Sequence, residues 1–243
     1  MTTGKVAAVI VCKTPIGGLS KTRLSPPLRP EQCARISECF IRDLSRNVQA
    51  LANESAISGI ALYTPYGSEA HLQSLLPAAF RLHTQGDGDL GARLSKGSAE
   101  LLREGYEGVI LINSDSPTLP LSILRDAADA LRDGDQIVLG PAIDGGYTLI
   151  GLSRPHPRLF DDIPWSTPAV HALTLRRAGE IGVSVLNLAT WYDVDDANSL
   201  EILAAEMRGE RPAFASPDLI AAEAPATRQF MHDLTVSGEV AEP

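Results

Sequence analysis

Residues 6–12 (Val-Ala-Ala-Val-Ile-Val-Cys) and 108–113 (Gly-Val-Ile-Leu-Ile-Asn) are apolar at nearly every consecutive position. Successive side chains of a strand point to opposite faces, so an unbroken apolar run must be covered on both sides. A parallel sheet clothed by helices meets that condition. The chain supplies such helices: Cys33, Ile36, Phe40, Leu44, Val48 and Leu51 recur at three- and four-residue steps over about 30–51. Further strands are expected at 58–63, 80–83, 136–139, 147–152 and 183–188. Helices are expected before Pro77 and at 89–103, 121–131, 169–178 and 197–207. Repeated β-α-β units specify an α/β fold, a three-layer α/β/α, Rossmann-like, mostly parallel sheet that binds ligands outside the carboxyl ends of its strands. Residues 1–209 are read as that domain. Residues 210–243, interrupted by Pro212 and Pro217, are read as a tail, packed on the surface or partly disordered, with a short helix at 226–234.

The chain has 243 residues, 44% hydrophobic and 21% charged, which suffices for a full core. A net charge of −9 argues against nucleic acid or a membrane surface as partner, since both need a basic face. It leaves room for a small anionic ligand in a local basic pocket. No segment nears the ~18 apolar residues of a membrane span. The run at 6–12 lies between Lys5 and Lys13 without a cleavage site, so it reads as a strand and not a secretion signal. Cys12, Cys33 and Cys39 lack metal-type spacing and read as reduced thiols of a cytoplasmic protein. The five histidines show no ligand spacing either.

The polar motifs fall at the strand ends. After the first strand comes Lys13-Thr-Pro-Ile-Gly-Gly-Leu-Ser-Lys-Thr-Arg-Leu24. Gly17 and Gly18 permit a tight turn, and Lys21 with Arg23 sets two cations beside it, a composition suited to a polyphosphate or to a solvated surface turn. Gly17 and Lys21 are too close together for a Walker loop. Ser114-Asp115-Ser-Pro follows the strand at 108–113, so Asp115 is either a metal-binding carboxylate or a turn residue before Pro117. In Tyr192-Asp-Val-Asp-Asp196, Asp193 and Asp195 share a face if extended, and Asp196 is placed to cap the next helix. Asp144-Gly145-Gly146 reads as a ligand-contacting loop or a plain hairpin turn. Gln85-Gly-Asp-Gly-Asp-Leu90-Gly91 opens a helix, and Gln85 has the donor and acceptor that suit a nucleobase edge. Trp165 in Pro164-Trp-Ser-Thr167 either faces a substrate or packs.

Taken in order over about residues 5–205, these segments resemble uncharacterised bacterial transferases of the DUF2064 type, with the nucleotide-diphospho-sugar transferase (GT-A) fold. They are similar to the 2-phospho-lactate guanylyltransferases of deazaflavin-cofactor synthesis and to the molybdenum-cofactor nucleotidyltransferases. The resemblance implies that Gly17, Gly18, Lys21 and Arg23 hold the outer phosphates of a nucleoside triphosphate, and that Gln85, Leu90 and Gly91 read its base. It further implies that Asp115 and Asp195 hold Mg2+ or Mn2+, while Asp144, Gly145, Gly146 and Trp165 contact substrate. Two departures stand out: Ser114 replaces the glycine of a G-D-x-P-L element, and Val194-Asp-Asp-Ala-Asn-Ser-Leu200 lacks the threonine, proline and later acids of V-D-T-P-E-D-L.

The implied partners are a nucleoside triphosphate or nucleotide sugar and a small anionic acceptor, without nucleic acid or membrane, and a homodimer is allowed for. A phosphorylated acceptor is largely dianionic near neutral pH, its second pKa being about 6, and needs no strong general base. The expected reaction is transfer of a nucleoside monophosphate to that acceptor with release of pyrophosphate, Lys21, Arg23 and Asp115 being the catalytic groups. A glycosyltransferase on the same fold is the alternative, although its usual Asp-x-Asp after the central strand is Asn113-Ser-Asp115 here. A non-catalytic nucleotide-binding protein is the third class.

Overall fold

The computed structural model describes residues 5–236. Seven strands, β1 (Val6–Lys13), β2 (Ile57–Thr64), β3 (Arg81–Thr84), β4 (Gly108–Asn113), β5 (Ile137–Pro141), β6 (Tyr147–Leu152) and β7 (Val185–Asn187), form one sheet in the order β3-β2-β1-β4-β6-β5-β7. Only β6 runs antiparallel to its neighbours, β4 and β5. The cause is the connection. Residues 142–146 alone join β5 to β6, too short for a crossover helix, so the two must pair as a hairpin.

Helices α1 (Pro30–Glu54), α2 (Glu69–Leu75), α3 (Leu90–Arg103), α4 (Leu121–Arg132), α5 (Val170–Glu180), α6 (Ala197–Met207) and α7 (Pro225–Val236) cover the sheet. Alternate residues of β1 divide between two cores, as a doubly covered strand requires. Val6, Ala8, Ile10 and Cys12 join the cluster built with α1, α4, α6 and α7. Ala7 and Val9 join the cluster built with α3, α5 and the 3-10 turn Pro157–Phe160. No helix is long and apolar enough to cross a membrane among the described residues.

The expected short helix near 226–234 is α7, and it is docked. Asp43 of α1 accepts from the Ala226 and Thr227 N–H groups at 3.0 and 2.8 Å, and Asn47 donates to the Glu223 carbonyl at 2.9 Å. The two bonds to Asp43 satisfy N–H groups that a helix start leaves unpaired. Phe230 and Leu234 complete the attachment by entering the α1 core.

Candidate active site

Loops after β1, β4 and β5 and the segment after β7 meet at the carboxyl ends of the central strands and enclose a cleft of about 670 Å3. Of the residues singled out by sequence, Lys21, Arg23, Gln85, Leu90, Asp115, Asp144, Gly146, Trp165 and Asp195 line it. Gly17, Gly18, Gly91 and Gly145 do not.

The loop after β1 is a pair of tight turns. Ser20 closes the first, its N–H donating to the Ile16 carbonyl at 3.0 Å while its hydroxyl accepts from the Ile16 N–H at 2.9 Å. Gly18 takes the left-handed conformation there (φ 77°). Gly17 and Gly18 are both exposed and stand at the lip. Lys21 is itself left-handed (φ 51°), an uncommon state for a residue with a Cβ, and it opens the 3-10 turn Thr22–Leu24, whose Leu24 is buried as an anchor.

Lys21 is turned inward, with only 8% of its side chain exposed. Its ammonium lies 2.8 Å from Asp115 Oδ2 and 2.7 Å from Asp195 Oδ1, and donates to the Val194 carbonyl at 2.8 Å. Arg23 takes the other Asp195 oxygen, Nη2 to Oδ2 at 2.8 Å, and stays 57% exposed. The two carboxylate loops are also tied to each other, because the Val194 N–H donates to the Asp115 carbonyl at 2.9 Å. Asp196 caps α6 as expected, accepting from the Ser199 N–H at 2.9 Å, and the Ser199 hydroxyl accepts from the Asp195 N–H at 2.9 Å. The cap therefore fixes the backbone that carries Asp195.

Burial works against the charges of Lys21, Asp115, Asp195 and Asp193. It would lower the Lys21 ammonium, yet Asp115 and Asp195 override it and hold Lys21 above the ordinary lysine range. Burial pushes the Asp115 carboxyl up against the pull of Lys21. It opposes ionisation of Asp195 too, but Lys21 and Arg23 hold that carboxyl below the usual range. Asp193, with burial and the like charges of Asp195, Asp144 and Asp115 acting together, is pushed up to about 7. The carboxylates outnumber the cations touching them, so the cleft favours additional positive charge. Cys12 at its floor is a thiol pushed up to about 12 by burial and Asp115, and is inert as a nucleophile.

Gln85 departs from the sequence expectation. Its Nε2 donates to the Cys12 and Leu62 carbonyls at 3.1 and 3.0 Å, and its Oε1 accepts from Arg93 Nη1 at 3.1 Å. The amide thus ties the carboxyl ends of β1 and β2 to α3 and is occupied by protein partners on both its nitrogen and its oxygen. Gly91 has a packing role as well, since a Cβ there would collide with the Phe160 carbonyl and sit 3.3 Å from Trp165 Nε1. Gly145 is left-handed (φ 88°), and a Cβ there would meet the Pro168 carbonyl; its own carbonyl accepts from the His171 N–H at 3.0 Å. Both glycines shape the Trp165 wall from outside. Asp144 accepts from the Gly146 N–H at 2.8 Å within the β5–β6 turn and also lines the cleft. Trp165 meets Tyr147 edge-on, ring centres 6.5 Å apart.

Sequence reasoning left Arg93, Asn113 and Tyr147 out, and chose Asp195 without Asp193; all four line the cleft. A signal for Arg93 existed. It lies one turn after Leu90 on α3, on the same face.

The model of the family described as "Uncharacterized protein conserved in bacteria (DUF2064)" matches residues 47–167. No curated protein matches the chain. Among solved structures, it is similar to a protein of Desulfovibrio desulfuricans G20 provisionally named a nucleotide-diphospho-sugar transferase. That match has 24% identity and a TM-score of 0.79, and covers 96% of each chain. It is also similar to CMP:2-keto-3-deoxy-manno-octonic acid synthetase complexed with CTP, at 13% identity and a TM-score of 0.54, covering 84% of this chain and 99% of that one. A third likeness is to 4-diphosphocytidyl-2C-methyl-D-erythritol synthase of Anaerococcus prevotii DSM 20548. There the identity is 10% and the TM-score 0.54, with 85% of this chain and 98% of that one covered. These likenesses establish the fold, a nucleotide-diphospho-sugar transferase fold. Residues 47–167 match the model of the bacterial DUF2064 family, and the chain carries this fold over 96% of its length.

Proposed function

We propose that this protein is a nucleotidyltransferase that joins the nucleoside monophosphate of a nucleoside triphosphate to a small phosphorylated acceptor and releases pyrophosphate. One observation carries the reading: Lys21 and Arg23 meet Asp115 and Asp195 at one end of the cleft, so phosphate-binding cations and cation-binding carboxylates share a single centre. Two of the solved relatives are named for cytidylyl chemistry, one of them holding CTP, which supports nucleotidyl transfer on this fold.

The residues present fit a divalent cation. Asp115 Oδ2, Asp195 Oδ1 and the Val194 carbonyl converge within 2.8 Å of one positively charged atom, an all-oxygen set of the kind hard cations take. Among the described residues no cage of three or more acidic, histidine or cysteine side chains is assembled. Mg2+ suits such a set, because it keeps its other positions for water and substrate phosphates. Asp115 and Asp195 would hold it, and when bound it would supply positive charge to the phosphates.

Arg23, largely exposed at the mouth, meets the outer phosphates first and neutralises charge on the leaving pyrophosphate. Lys21 adds a second cation from the same turn. The acceptor's phosphate oxygen attacks the α-phosphorus; that O–P bond forms, the bond to the pyrophosphate oxygen breaks, and the electron pair leaves on pyrophosphate. No proton has to be removed from a dianionic attacker, so the transfer itself calls for no general base. Arg93, Asp144 and Trp165 on the remaining wall orient base and acceptor.

Incubation with each nucleoside triphosphate and a panel of phosphorylated acceptors, with pyrophosphate detection, tests the reading. Acceptor-dependent pyrophosphate release supports it. Sugar transfer from a nucleotide sugar, with no pyrophosphate from any triphosphate, would replace it with the glycosyltransferase reading.

A further inference from the structure

Lys21 is asked to do two incompatible things. As a phosphate ligand it must donate to the triphosphate, but an ammonium has three donors, and Asp115, Asp195 and the Val194 carbonyl accept all three. The same three oxygens are those a divalent cation would use. We infer that the Lys21 ammonium holds the divalent-cation position in the nucleotide-free protein and exchanges with the incoming metal, swinging onto the triphosphate as it leaves. Metal loading and nucleotide binding are thereby coupled through one side chain. The inference rests on the metal site of the nucleotidyltransferase reading and assigns Lys21 an additional, positioning role there.

The surroundings suit such an exchange. A bare Asp115–Asp195 pair would be two like charges side by side in a partly buried site, and Lys21 removes that repulsion until another cation comes. The backbone need not move. The Leu24 N–H donates to the Lys21 carbonyl at 2.9 Å, and buried Leu24 pins the turn, so a flexible four-carbon stem does the travelling. The Phe40 ring, whose centre is 5.9 Å from Nζ, lies beneath the resting position. Gly17 and Gly18, where an added Cβ would meet nothing, leave open space on the lip over which the phosphates arrive.

Mn2+ binding without nucleotide, followed by paramagnetic resonance of the free ion, reads the exchange directly. Lys21→Met keeps the stem and removes the charge. It should bind Mn2+ at least ~10-fold more tightly than wild type, a difference of about 1.4 kcal/mol. A non-hydrolysable triphosphate should tighten Mn2+ binding in wild type by a larger factor than in Lys21→Met, because only wild type has an ammonium to displace. Thermal unfolding provides a second readout: Lys21→Met should melt lower than wild type in chelator and regain more stability on adding Mn2+. Equal Mn2+ affinity in wild type and Lys21→Met would overturn the inference while leaving the metal site standing. Mn2+ binding unaffected by Asp115→Asn in both backgrounds would remove the metal site and the inference with it. Tighter Mn2+ binding by Lys21→Met, together with no pyrophosphate released by wild type from any triphosphate, would uphold the exchange and change only the class of transferase.

Discussion

Asp195 divides its two oxygens between Lys21 and Arg23, whereas Asp115 offers one oxygen to Lys21 and accepts from the Ser114 hydroxyl at 3.0 Å on the other. Asp115→Asn keeps the shape and can still accept from Lys21, so the melting temperature should barely change while turnover falls by about two orders of magnitude or more, the range for losing one preorganised electrostatic group. Steady-state rates with a thermal melt on the same sample check both halves. Arg23→Ala isolates the phosphate contact, because its ion pair is exposed and contributes little to stability. A charge-assisted bond to phosphate contributes about 1.5–3 kcal/mol, so triphosphate affinity should drop roughly 10- to 150-fold. The matching monophosphate should lose clearly less, as calorimetry with the tri-, di- and monophosphate would show. Equal losses for all three would mean that Arg23 does not reach the outer phosphates. At this scale the sequence was informative about which residues gather and less so about what each one does. Lys21, Arg23, Asp115 and Asp195 were legible because strand ends must converge in a parallel sheet. Gln85 was not, because its amide partners, the Cys12 and Leu62 carbonyls, lie far away in the chain and no local pattern brings them together.

Among the elements, the segment from Asp193 to the first turn of α6 matters most to the site. Ser199 couples the Asp196 cap to the Asp195 backbone, and Val194 clamps to the Asp115 carbonyl, so the cap of one helix sets the spacing of two carboxylates on separate loops. Asp196→Ala should cost ~1 kcal/mol, the usual loss for an N-cap. It should also raise the KM for the metal-nucleotide complex several-fold, since Asp195 loses its backbone fixation. A KM unchanged beside the expected drop in stability would make the cap purely structural. The missing threonine, proline and acids in Val194–Leu200 thus leave the helix start intact, because the Asp196–Ser199 capping box does that work with different residues. The hairpin β5–β6 shows why strand direction was the harder inference. Apolar content marks a buried strand without its direction, and only the brevity of residues 142–146 decides it.

Across the whole molecule, α7 closes the α1 face and none of its residues lines the cleft. Its attachment combines two backbone N–H groups on Asp43 with burial of Phe230, which is 4% exposed and lies under the Arg35 guanidinium at 5.6 Å from the ring centre. The sequence showed the helix but not the docking, since Asp43 and Thr227 are far apart in the chain and a polar tail with prolines reads the same whether it packs or not. The docking has a measurable consequence. Truncating a buried phenylalanine costs about 3–5 kcal/mol, transfer and cavity terms together. For a chain of this size about 2–4 °C accompanies each kcal/mol, so Phe230→Ala should lower the melting temperature by roughly 6–20 °C. Nucleotide affinity at 25 °C should stay at the wild-type value, because no residue of α7 lines the cleft. Differential scanning calorimetry and a triphosphate titration on one preparation separate the two. If affinity falls together with stability, α7 reaches the cleft through α1, whose Ser37 and Phe40 face Lys21's end of it. Unchanged stability would instead mean that the C-terminal helix is held by its N-terminal bonds to Asp43 alone.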